Sequence, residues 1–116
     1  MKTSRKDFEK FKTDFRRWQR LLGLSEYNVS FFHVPLREGR SAEIRTSLEN
    51  RLCEARMTTE LDYKAGGLGR HEALELLLDH MDTLARYRFI RPEEIDAARH
   101  AVIRRLEDLF DRHGLR

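Results

Sequence analysis

Between residues 42 and 58 the apolar residues fall on every second position, and this constrains the fold more than any other feature of the chain. In segment 42–48, AEIRTSL, the residues Ala42, Ile44, Thr46 and Leu48 share one side, and in segment 52–58, LCEARMT, so do Cys53, Ala55 and Met57. A period of two is that of a strand with one buried face. The polar Glu49-Asn50-Arg51 between the two segments reads as a turn. Segment 26–34, EYNVSFFHV, is rich in aromatic and β-branched residues and stops at Pro35, and REGRS (37–41) is a second turn. Three strands in succession predict a small antiparallel meander.

On both sides of this region the period is helical. Phe8, Phe11, Phe15, Trp18 and Leu22 form one stripe of a helix running from about Ser4 to Leu22, with Thr3 or Ser4 as cap and Gly23 as a left-handed stop. A second helix is expected from about Gly69 to Tyr87, burying Leu74, Leu77, Leu78, Met81, Leu84 and Ala85. A third starts at Arg91-Pro92-Glu93-Glu94, with the proline in its first turn and acids at its positive end. Its apolar stripe is Ile95, Val102, Leu106, Leu109 and Phe110. The order of helix, three strands and two helices is α+β, in a single domain over 1–116. The glycine-rich YKAGGLGR (63–70) is the stretch expected to be most flexible. It lacks the G-x-x-x-x-G-K-[ST] spacing of a phosphate-binding loop.

Composition narrows the class of protein. Hydrophobic residues make up 40% and charged residues 37% of 116 residues, as in a folded, highly charged soluble protein. No apolar run is long enough for a membrane span or a signal peptide, so the expected compartment is the cytoplasm. A lone cysteine, Cys53, makes an intramolecular disulfide impossible and reads as a small structural residue. The net charge of +3 is uneven: Lys2 to Arg20 holds eight Lys and Arg against three acids. Such a face suits nucleic acid or an acidic partner, and equally an ordinary solvated helix.

The chemistry is concentrated in RHEALELLLDHM (70–81). His71-Glu72 opens like the zinc-protease helix H-E-x-x-H, with Glu75 where the second His belongs. At 100° per residue His71 and Glu75 project from one face a turn apart, and this is the separation at which two side chains grip one ion. Glu72 is rotated away from them, near enough to act on an activated water. His80 lies about half a turn around the helix from His71 and is excluded from the same ion. Carboxylate oxygens bind Zn²⁺ at distances close to those of imidazole nitrogens, so Glu75 can replace a His, at the cost of a less acidic water. A third ligand is needed. His113 sits in a tail expected to fray, and His33 ends a strand that could face the pocket. His100 in the third helix is the best placed, with Glu93 or Glu94 in reserve.

Four ordered segments resemble the minimal SprT-like zincin metallopeptidases, including small phage-encoded ones. These are the aromatic helix FEKFKTDFRRWQRLLGL (8–24), the hairpin AEIRTSLENRLCEARMT (42–58), the helix HEALELLL (71–78) and the helix EEIDAARHAVIRRLEDLF (93–110). The resemblance implies a zinc site of His71, Glu75 and His100. It also implies Glu72 as the general base that polarises a metal-activated water for attack on a peptide carbonyl. It assigns the holding of an extended peptide to part of 42–58, and it implies a bacterial or phage-infected cell. The alternative is a weak or inactive module on the same scaffold that binds nucleic acid or a protein through its first helix. Lys10, Arg16, Arg17 and Arg20 would then face the phosphates.

Overall fold

The computed structural model describes residues 2–37, 39–61, 66–87 and 90–114. The first helix, α1 (Arg5–Leu21), starts at a reciprocal cap. The Ser4 hydroxyl accepts from the Asp7 amide at 3.1 Å, and the Asp7 carboxylate accepts from the Ser4 amide at 2.8 Å. It ends as its sequence predicts, on Gly23 at φ 71°. There the Leu24 amide donates to the Gln19 carbonyl and the Gly23 amide to that of Arg20, a Schellman stop. The Gln19 side chain then donates to the Leu24 and Tyr27 carbonyls, aiming the chain into the sheet.

The sheet has three strands, β1 (Asn28–His33), β2 (Ala42–Ser47) and β3 (Leu52–Met57), and the molecule is α+β. It is not the antiparallel meander expected from the sequence. The spatial order is β1-β3-β2, with β1 parallel to β3 and β2 antiparallel to β3. A period of two tells which residues share a face but is silent on which strand takes the middle. The middle goes to β3, which carries the most deeply buried alternation: Cys53, Ala55 and Met57 are all at most 2% exposed. The segment after His33 carries the chain past β3 to the far edge, from which the β2–β3 hairpin returns. The outer side of β2 pairs with no strand among the described residues.

One face of the sheet lies on the helices. Phe31 meets both Phe11 and Phe15 edge-on, at 6.2 and 5.5 Å between ring centres. The amino terminus is tied down beside it. Thr3 Oγ1 donates to the Thr58 carbonyl at 2.8 Å and contacts His33 Nε2 at 2.6 Å, while Phe8 stacks on the His33 ring at 4.9 Å. His33 is thereby committed to holding the terminus. Cys53 is buried, and burial pushes its thiol up to about 12, as befits a packing residue.

The second helix, α2 (Leu68–Ala85), follows Gly67; residues 63–65 of the glycine-rich stretch lie outside the described residues. It meets α1 at Gly69, and Ala73, Leu76 and Leu77 on the same side of the helix are buried in the core. A Cβ at Gly69 would collide with the Phe11 carbonyl and would stand 2.7 Å from the Phe15 amide and 2.8 Å from Asp14 Cβ. Glycine is therefore what lets the two backbones meet. The buried face differs from the expected one: Leu74 and Leu78 are 38% and 48% exposed. The helix is apolar on several sides, and the small residues Gly69 and Ala73 decide which side approaches α1.

The third helix, α3 (Pro92–Arg112), buries Ala98, Val102 and Leu109 and leaves Phe110 exposed. Arg105 holds Glu26 at 2.9 Å, and Arg112 donates to the Leu21 carbonyl at 2.8 Å, fastening its C-terminal half near the end of α1. No helix among the described residues is long and apolar enough to cross a membrane.

Candidate active site

The packing of α2 through Gly69 and Ala73 turns another of its faces toward β2, and a cleft of 920 Å³ lies between the two elements. From α2 the side chains of His71, Glu75, Asp79 and Asp82 line it, at successive steps of four, four and three residues. From β2 come Ala42, Glu43, Ile44 and Thr46. A hydrogen bond joins the two walls: Thr46 Oγ1 donates to Asp79 Oδ2 at 2.9 Å.

His71 and Glu75 meet as their spacing predicts, with Nε2 and Oε1 3.5 Å apart, and both remain largely exposed. Glu72 is placed differently. Rotated toward the core beside Ala73, it is 6% exposed, yet it still lines the cleft. Burial pushes its carboxyl up to about 7; the neighbouring His71 opposes the rise and Glu75 adds to it. A carboxyl so placed can both take up and release a proton near neutrality. Burial likewise raises Asp79, against the lowering effect of the Thr46 hydrogen bond.

His71, Glu72 and Glu75 are thus brought together, and His100 is not. It stands on the opposite side of α3 from Ala98 and Val102, half exposed, with Nδ1 2.8 Å from the Asp96 carbonyl and 3.3 Å from Asp96 Oδ2. It does not line the cleft. Glu93 and Glu94 remain at the start of α3, where Glu94 pairs with Arg91 at 3.1 Å. His113 caps the end of α3.

Compared with family models, with curated proteins and with solved structures, the chain gives no match.

A divalent ion would find two donors of suitable type at His71 and Glu75, a turn apart on one helix face. A complete three-residue set is not assembled among the described residues, where no group of three His, Cys, Asp or Glu side chains is arranged to hold an ion. The donor chemistry therefore fits two of the three positions that catalytic zinc takes from protein.

Asp79, Asp82, Glu43 and Arg40 also belong to the cleft, and the motif alone did not single them out. For Asp79 and Asp82 a signal existed, because they continue the His71–Glu75 face at helical spacing. For Glu43 and Arg40 none did, since only the meeting of β2 with α2 places them. On α1, Lys10, Arg16, Arg17 and Arg20 stand exposed, with light contacts along the surface. Lys10 pairs with Asp14 at 3.0 Å, Arg16 lies over the Phe31 ring at 4.8 Å, and Arg17 lies over Trp18 at 6.0 Å.

Proposed function

We propose that the chain is a small zincin-like peptidase domain that hydrolyses peptide bonds in the cleft between β2 and α2. The observation that carries this reading is Glu72. It is a carboxyl buried to 6% exposure that opens on a cleft shared with the metal-type pair His71–Glu75 and with β2, whose outer edge no strand covers among the described residues.

Each part has a stated task. The outer edge of β2 offers backbone donors and acceptors to an extended peptide, which adds to the sheet as a further strand. Glu72 accepts a proton from the attacking water and passes it to the leaving amine, work suited to a carboxyl held near neutrality. His71 and Glu75 would hold Zn²⁺, which when bound supplies Lewis-acid polarisation of the reacting groups. Thr46 fixes Asp79 and so sets the spacing of the two walls.

Zinc binding to protein purified without a metal-affinity tag tests the site. The wild type is expected to take up a single ion, and His71→Ala and Glu75→Ala each to weaken binding at least about tenfold. Glu72→Gln keeps the ion. His100→Ala reports on the third ligand: weakened binding puts His100 at the ion, and unchanged binding removes it. A folded wild type with no affinity for zinc would overturn the reading.

A further inference from the structure

The cleft and the chain carry opposite charge. The chain is +3 overall. The cleft, by contrast, is lined by five carboxylates, Glu43, Glu72, Glu75, Asp79 and Asp82, against two arginines. One of those arginines, Arg86, pairs with Asp82 at 3.0 Å, an exposed contact that an incoming cation can replace. The acids also form a row, since Glu75, Asp79 and Asp82 follow one another along α2 beside the outer edge of β2.

A row of acids is common on helix surfaces and by itself selects nothing. Here a second observation points to an occupant. Glu72 is more than nine-tenths buried and opens on the cleft, and no donor among the described residues hydrogen-bonds its carboxyl. The donor for that carboxyl has to come through the cleft, from water or from whatever displaces it. The third observation is the outer edge of β2, which no strand covers among the described residues and whose backbone groups can pair with an extended chain. A polyanion is disfavoured by the same charges, which leaves a cationic peptide as the occupant that meets all three.

We infer that the cleft selects extended peptides bearing Lys or Arg, with Asp79 and Asp82 receiving the basic side chain. This rests on the peptidase reading and names its substrate class. The register follows from the geometry of the two walls. Asp79 is seven residues along α2 from Glu72, about 10 Å at roughly 1.5 Å per residue. An extended peptide rises about 3.3 Å per residue, so the basic residue sits about three positions from the bond that faces Glu72.

The test is a binding measurement on the full, metal-free chain at low salt. Fluorescence anisotropy compares two labelled, unstructured peptides identical except for a single Lys or Glu. The Lys peptide is expected to bind about tenfold tighter, a difference of about 1.4 kcal/mol. Non-specific attraction to a net-positive protein would favour the Glu peptide, so the sign of the preference reports on the cleft.

Asp79→Asn with Asp82→Asn should remove the preference. Asn at 79 keeps an acceptor for Thr46 Oγ1, and circular dichroism checks the fold. Should that variant fail to fold, Glu75→Gln with Asp82→Asn repeats the test on side chains that are more than half exposed. Equal binding, a preference for Glu, or a Lys preference that survives these substitutions would overturn the inference. The assay uses neither zinc nor hydrolysis. A chain that cleaves without charge preference therefore fails this inference alone, and one that prefers Lys without holding zinc fails the peptidase reading alone.

Discussion

The two faces of α2 are built from the same eighteen residues and do opposite work. On one, Ala73, Leu76 and Leu77 are buried and Gly69 lies so close to α1 that a single added carbon there meets backbone. On the other, His71, Glu75, Leu78 and Asp82 stand open to the cleft, with no helix or strand laid over them among the described residues. Glu72 belongs to both: its burial comes from the closed face and its outlet from the open one. The closed face thus sets the chemistry of the open one. Turning α2 by one residue about its axis would bring Glu72 out into water and lose the perturbed carboxyl.

The comparison can be broken hardest on the closed side. Leu76→Ala, at a site 1% exposed, should cost about 2–5 kcal/mol in denaturant unfolding, the transfer loss plus the cavity left behind. Gly69→Val should cost about 3 kcal/mol, because the obstacle is the α1 backbone, which cannot rotate away. A cost under about 0.5 kcal/mol for either would mean that α2 does not pack on this face.

Glu72 gives a smaller effect with a sign that depends on pH. Its folded value, about 7, lies above the ordinary 4.5, so the folded protein binds more protons than the unfolded one between those values. Stability should fall as pH rises through that window, and the loss is complete above it. In protein freed of metal by chelation, Glu72→Gln should therefore be about 1–3 kcal/mol more stable than wild type at pH 8. Near pH 4 the two should be equal. A flat difference across pH would place Glu72 in water. On the open side Leu78→Ser should change stability by less than about 0.5 kcal/mol, since Leu78 is 48% exposed.

Much of this was legible in the sequence, and what was not has identifiable causes. The cap at Ser4, the stop at Gly23 and the alternation through Cys53, Ala55 and Met57 are local features, and the structure follows them. Strand order is not local. Alternation assigns faces, and the central place of β3 emerges only when β1 packs on α1 through Phe31. The hydrophobic pattern does not single out the buried side of α2, because Leu74, Leu76, Leu77 and Leu78 leave apolar residues nearly all round. Two small residues settled the matter, and small residues carry little weight in a hydrophobic pattern. The His71–Glu75 pair was readable because four residues on a helix make one turn. The position of His100 relative to it depends on how α3 is rotated against the rest, which no spacing within α3 encodes.

The central claim is that this cleft cuts peptide bonds with Glu72 handling the proton. Hydrolysis of an unfolded protein substrate by zinc-loaded, tag-free wild type, measured beside Glu72→Gln, tests it most directly. Cleavage by the wild type is expected, with a loss of about 10²-fold or more in the zinc-loaded variant. Equal rates in the two proteins, or no cleavage by a zinc-loaded wild type, would contradict it.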